Sequence, residues 1–173
     1  MKQIQITLNP SESKRIIAMG VKKLPVIQQA LKKGIILITL GSTNAYVAEE
    51  LTGKKIDHAR YGAGYIDGTT TVVPIDTRLP TIALRDGKQV ADDGIIKEMG
   101  CGKATGLPVG MMPLCGTVIT EVEALTLLGA DDVFPIGAGG INGGEGSVTL
   151  CVIGDKADEI FELVQKVKEK III

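Results

Sequence analysis

The sequence Ile35-Ile36-Leu37-Ile38-Thr39-Leu40-Gly41-Ser42-Thr43-Asn44 decides the fold class. The run from Ile35 to Leu40 is almost continuously apolar, which is typical of a strand buried on both faces of a sheet. A glycine and three small polar residues follow, and residues 45–51 have a helical composition. A strand, a tight turn and a helix in this order form the first half of a βαβ unit. The stretch therefore predicts an α/β fold.

On the amino-terminal side, residues 4–8 alternate between apolar and polar types, as a half-buried strand does. The next residues predict the start of a helix. Asn9 is placed to cap it, Pro10 suits the first helical position, and the Glu12 side chain can reach back to the cap amide. This helix is expected to end near Lys22.

On the carboxyl-terminal side, residues 56–90 contain short β-rich runs, with hairpin turns predicted at Asp67-Gly68 and Asp86-Gly87. Strands are predicted at 132–136 and 147–153. A final helix follows whose apolar residues share one face: Ile160, Leu163, Val164, Val167 and Ile171. We therefore predict a single three-layer α/β domain over residues 1–173. Its sheet is largely parallel, and residues 56–90 form an antiparallel β-rich insertion.

The composition argues against several classes of function. The 173 residues are 45% hydrophobic and 3% aromatic, and 19 Lys and Arg stand against 20 Asp and Glu. Nucleic-acid binding and a membrane span are not expected. The three cysteines lack CxxC spacing and there is one histidine, so we expect no metal site, and we find no cofactor motif. We predict a cytoplasmic protein with buried thiols.

Four residues at the end of the buried strand are predicted to bind a ligand: Gly41, Ser42, Thr43 and Asn44. A helix that begins there presents unpaired N–H groups and the positive end of its dipole, which suit a phosphate or a carboxylate. Ligands in open α/β sheets also gather at the carboxyl ends of strands. The alternative is an ordinary glycine turn and hydroxyl cap without a ligand.

The segment Gly41-Ser42-Thr43, followed by Ala45 and Leu51, resembles the GST-x-x-A/Y-x-x-x-x-L segment of a sugar-phosphate and thioester superfamily. That superfamily comprises ribose-5-phosphate isomerase A, glucosamine-phosphate deaminase and the CoA-transferases. The resemblance covers about residues 11–52 and includes the preceding Lys14-Arg15-Ile16-Ile17. It implies a site for a sugar phosphate, or for the carboxylate and acyl portion of a thioester.

The stretch Gly129-Ala130-Asp131-Asp132-Val133 is similar to a GADEVD stretch of the isomerases. In both, a glycine-rich run follows. Phe134 stands where the isomerases have an acidic residue, and Gly137 stands where they have a lysine. The isomerase catalytic pattern is therefore incomplete in this chain.

Residues 137–146 contain a second glycine-rich loop, predicted to bring backbone amides to an anion through Gly139, Gly140, Gly143 and Gly144. Glu145 is flanked by glycines, as the nucleophilic glutamate of CoA-transferases is, and it is one candidate catalytic carboxylate. Asp132 is the other, as a general acid or base. The alternatives are a subunit-contacting loop, a solvated glutamate and a capping aspartate.

Four cationic side chains lie in or beside glycine-rich and β-rich segments of the chain: Arg60, Arg78, Arg85 and Lys103. One of them could pair with a ligand phosphate, but the spacing does not single one out. The roles of Cys101 and His58 are left open.

Two functions follow from this pattern. The first is binding of a small anionic metabolite, which the resemblance extends to a sugar-phosphate or acyl-thioester enzyme of the isomerase or transferase type. The second is a non-catalytic homo-oligomeric subunit whose glycine loops serve packing. The mean hydropathy of +0.25 and the Ile171-Ile172-Ile173 tail favour a homo-oligomer in either case.

Overall fold

The computed structural model describes residues 2–62, 64–66, 70–91, 111–114, 121–135 and 148–171. Contacts between residues divide the chain into two compact units. Unit 1 comprises Met1–Lys23 and Ile119–Ile173, and unit 2 comprises Leu24–Val118. The single domain over residues 1–173 stays a prediction. The helix expected from Asp92 to Met99 lies outside the described residues.

Unit 1 contains a three-stranded antiparallel sheet. Its strand order is β1 (Lys2–Leu8), β9 (Val148–Gly154), β8 (Asp132–Pro135). Strand β1 pairs along its whole length, from Lys2 opposite Gly154 to Leu8 opposite Val148. The strands expected at 132–136 and 147–153 are thereby confirmed to within one residue.

Three helices accompany this sheet: α1 (Pro10–Lys23), α4 (Glu121–Leu127) and α5 (Ala157–Ile171). Helix α1 packs against the other two, and α5 packs on β1 and β9. The predicted apolar face of α5 is confirmed by three buried residues, Ile160, Val164 and Val167. The core of the unit combines these with apolar residues from β1, α1, α4 and β9: Ile6, Leu8, Ile16, Val21, Leu125, Leu150 and Val152. Each such side chain contributes roughly 1.5–3 kcal/mol through burial.

The amino terminus of α1 is a reciprocal capping box. The Asn9 amide donates to Glu12 Oε2 at 2.8 Å, and the Glu12 amide donates to Asn9 Oδ1 at 2.9 Å. Pro10 occupies the first helical position. The predicted cap is confirmed. It satisfies two N–H groups that a helix cannot pair internally.

Unit 2 is built on a four-stranded sheet. Its strand order is β6 (Lys88–Val90), β5 (Ile82–Arg85), β2 (Ile35–Ile38), β7 (Met111–Leu114). All four residues of β2 are buried, as its apolar run predicts. Helix α2 (Pro25–Lys32) precedes β2 in the chain and packs against it.

Helix α3 (Ser42–Thr52) follows β2 and also packs against it. The unit also contains an antiparallel pair, β3 (Gly64–Ile66) with β4 (Thr70–Val72), and a single 3₁₀ turn at Ile75–Thr77.

The hairpin predicted at Asp86-Gly87 joins β5 to β6. Asp86 has φ 49° and Gly87 has φ 73°, the two positive values that a two-residue type I′ turn requires. The turn is held against the start of β2 by two hydrogen bonds of 2.9 Å with Gly34. One runs from the Asp86 amide to the Gly34 carbonyl, and the other from the Gly34 amide to Asp86 Oδ1.

The predicted three-layer, largely parallel sheet is wrong. Among the described strands, only β2 and β7 pair in parallel, and the other five pairings are antiparallel. Strands β1 and β2 belong to different sheets. Strand β5, from the segment predicted to be an insertion, pairs directly with β2. An apolar run shows that a strand is covered on both faces but does not specify the direction of its neighbours.

Candidate functional site

The carboxyl end of β2 is where the sequence predicts a ligand. Parallel pairing places Ile38 opposite Leu114, so β2 and β7 end at the same edge of the sheet. Antiparallel pairing places Ile82, the first residue of β5, at that edge as well. Ligands of α/β sheets bind beyond the carboxyl ends of parallel strands. Two parallel strands therefore end where α3 begins, although the sheet as a whole is mixed.

Helix α3 begins immediately after this edge, with Gly41 as its cap residue. The cap residue has no side chain to bond the first turn, and that turn contains no acidic residue. Ser42 is exposed and Thr43 is half-buried. The first N–H groups of a helix lack intrahelical acceptors and carry the positive end of its dipole.

Gly41 has an extended backbone, with φ 164° and ψ 148°. The nearest described atoms to a Cβ built there belong to the Asn44 side chain, at 3.7 Å or more. Neither the backbone conformation nor the packing therefore requires glycine.

Two buried side chains fix the turn. Asn44 Nδ2 donates to the Thr39 carbonyl at 3.0 Å and to Thr39 Oγ1 at 3.3 Å. The Asn44 side chain, predicted to bind ligand, thus holds the turn in place. On the other side, the Gly41 amide donates to the Tyr61 carbonyl at 3.0 Å, and the Tyr61 hydroxyl donates to the Ile38 carbonyl at 2.6 Å. The turn is therefore fixed before any ligand arrives.

Burial raises the pKa of Tyr61 to about 12 from 10.0. Its side chain is 1% exposed, and water cannot solvate a phenolate there. Tyr61 therefore acts as a neutral hydrogen-bond donor that stabilises the turn.

Of the four cations that sequence spacing left equivalent, the structure places Arg60 beside the turn. Arg60 precedes Tyr61, whose carbonyl binds the Gly41 amide. The Arg60 backbone carbonyl accepts from the Leu79 amide at 3.0 Å, and its Nε donates to the Thr77 carbonyl at 2.6 Å.

The other three cations are placed differently. Arg85 lies opposite Ile35, at the far end of β2. Arg78 Nε donates to the Val73 carbonyl at 2.8 Å. Lys103 lies outside the described residues. Among the three cations that the structure describes, Arg60 is therefore the one whose backbone adjoins the residue that binds the Gly41 amide.

A cluster that sequence analysis missed lies farther along α3. His58 Nε2 is 3.2 Å from Glu49 Oε1, and the Tyr46 and His58 rings pack edge to face with centroids 4.3 Å apart. Tyr46 and Glu49 are three residues apart on a helix and so share a face. That spacing, with the chain's single histidine nine residues beyond Glu49, is the sequence signal that could have revealed the cluster.

The remaining predicted site residues lie within Ile119–Ile173, the part of the sequence that is assigned to unit 1. Asp132 is the first residue of β8 and pairs with Ile153; its side chain lies outside the described part of the structure. The other predicted site residues of unit 1, Gly139, Gly140, Gly143, Gly144 and Glu145, also lie outside it. A ligand shared between the two glycine loops therefore stays a prediction.

Three further observations concern only the described residues. Cys151 is a free, buried thiol, as predicted, and Gln3 Nε2 lies 3.0 Å from its sulfur. No group of three or more His, Cys, Asp or Glu side chains is placed to hold a metal ion. No helix in this part of the chain has both the length and the apolar character needed to cross a bilayer.

Comparison with protein-family models, curated proteins and solved structures found no match to this chain.

Proposed function

We propose that unit 2 binds a small anionic metabolite, through a phosphate or carboxylate group, at the amino end of α3. The observation that carries the proposal is a helix start that Tyr61 and Asn44 hold in place and whose cap residue, Gly41, has no side chain. A preformed turn loses little conformational entropy when a ligand binds. The N–H groups of Ser42 and Thr43 and the exposed Ser42 hydroxyl are the donors.

Arg60 supplies the positive charge. Its backbone is fixed next to the turn, and the first turn of α3 contains no carboxylate to compete with the ligand. Hydrogen bonds between a charged donor and a charged acceptor are roughly twice as strong as neutral ones. The pairing of an arginine with a helix amino terminus favours an anion over a neutral metabolite.

The resemblance of Gly41-Ser42-Thr43 to the sugar-phosphate and thioester superfamily narrows the proposal to a sugar phosphate or an acyl thioester. The proposed reaction types are isomerisation and transfer. Gly139 to Gly144 are proposed as a second set of amide donors, with Glu145 or Asp132 as the reacting carboxylate. The buried thiol of Cys151 supports the proposal of a reducing, cytoplasmic setting.

Calorimetric titration with inorganic phosphate, ribose 5-phosphate and acetyl-CoA tests the proposal. We expect at least one of them to bind and to raise the melting temperature. Ser42→Glu should abolish that binding while leaving α3 as stable or more stable, because a carboxylate in the first turn complements the helix dipole.

Gln29→Glu is the matched control, since it adds the same charge at an exposed position of α2 in the same unit. The control should bind as the wild type does. The proposal is wrong if none of the three probes binds, or if Ser42→Glu binds as well as the control.

A second candidate function, a homo-oligomeric subunit, is favoured by the outer edge of unit 1. Among the described strands, β1 is an edge strand. A groove of about 340 Å³ lies between β1 and α5, lined by Ile4, Gln5, Asp158, Phe161 and Glu162. Ile4 and Gln5 point to opposite faces of the strand, so a groove that both line follows its outer edge. Phe161 is 42% exposed there.

The occupant we propose for this edge is the same strand of a second copy. Antiparallel pairing centred on Gln5 places Gln5 opposite its own counterpart, Ile4 opposite Ile6, and Gln3 opposite Thr7. Proline and charged side chains protect the edges of natural sheets from pairing with other chains. Strand β1 contains no proline, and its single charged residue is Lys2. Such a two-fold interface would cover Ile4 and Phe161 in both copies.

A further inference from the structure

We draw no further inference here: the strongest candidate, the apolar surface at Val72 of β4 and Ile75 of the following 3₁₀ turn, whose side chains are 68% and 83% exposed, carries nothing because nothing in the described part of the chain shows what covers it.

Discussion

The hydroxyl of Tyr61 donates a 2.6 Å hydrogen bond to the carbonyl oxygen of Ile38, the last residue of β2. The backbone of the same tyrosine accepts from the Gly41 amide. One residue of the loop after α3 thus fixes both the end of the strand and the start of the helix. The shape of the proposed anion site depends on this contact.

Tyr61→Phe should lower the free energy of unfolding by about 1 kcal/mol at neutral pH, since it removes the donor to a buried carbonyl. The difference should shrink at alkaline pH. Unfolded Tyr61 loses its proton near pH 10.0, whereas the folded protein keeps it up to about pH 12. The unfolded state then binds fewer protons, so wild-type stability falls as pH rises between these values, by up to about 1.4 kcal/mol per pH unit.

Urea denaturation of both proteins at several pH values from neutral to alkaline measures this difference. Other groups titrate in the same pH range, but their contributions to stability are the same in both proteins and cancel in the difference. A difference that stays constant with pH would contradict the burial of the phenol.

Gly87→Ala should be markedly more destabilising than Gly53→Ala. Both glycines have left-handed backbones, with φ 73° and 70°, and each alanine should cost about 1 kcal/mol for that reason alone. At Gly87 a Cβ atom would also lie 2.9 Å from the Leu31 carbonyl oxygen, whereas at Gly53 no atom of the described residues lies within 4 Å. Thermal denaturation of the two variants compares the two effects. Equal losses would show that α2 does not pack against the hairpin turn as described.

Lys168→Met should destabilise unit 1 by about 1 kcal/mol. Lys168 Nζ lies 2.9 Å from Glu12 Oε2 and donates to the Thr7 carbonyl at 2.7 Å. The Glu12 side chain is 9% exposed, so its charge is poorly solvated without the lysine. Lys170, exposed in the same last turn of α5, is the matched control.

Chemical denaturation of Lys168→Met, Glu12→Ala and the double variant completes a thermodynamic cycle. We expect the double variant to lose less stability than the sum of the single ones. Lys170→Met should change stability little. Additive losses at Lys168 and Glu12 would mean that the ion pair is not coupled.

Gln5→Lys and Gln5→Glu should each weaken self-association, because antiparallel pairing of β1 places residue 5 opposite itself and brings like charges together. An equimolar mixture of the two variants should associate again, since opposite charges then face each other. Sedimentation velocity over a range of concentrations measures the oligomeric state. A monomeric wild type, or a mixture that does not recover, would rule out this edge as the interface.

The sequence was informative wherever the cause of a structure is local. The Asn9–Glu12 cap, the Asp86-Gly87 turn and the apolar face of α5 each depend on residues within a few positions of one another. Their chemistry specifies a conformation whatever the rest of the chain does. The turn from Gly41 to Asn44 belongs to the same class, and its helix begins where the sequence places it.

Strand direction and sheet membership were decided by the tertiary structure. The buried run Ile35–Ile38 is compatible with a parallel neighbour, β7, and with an antiparallel one, β5, and it has both. The contacts of the candidate site likewise join residues that are far apart in the sequence. Tyr61 reaches Ile38 across 23 positions, and His58 meets Tyr46 and Glu49 only because the loop after α3 turns back along the helix.

By itself, then, the sequence determined the caps, the turns and the apolar faces, since short-range sterics and hydrogen bonding suffice for them. Only the tertiary structure decided which strands pair, which of the described arginines adjoins the helix start, and that the single histidine lies beside a carboxylate. Those outcomes depend on contacts between distant residues, and periodicity along a chain carries no information about them.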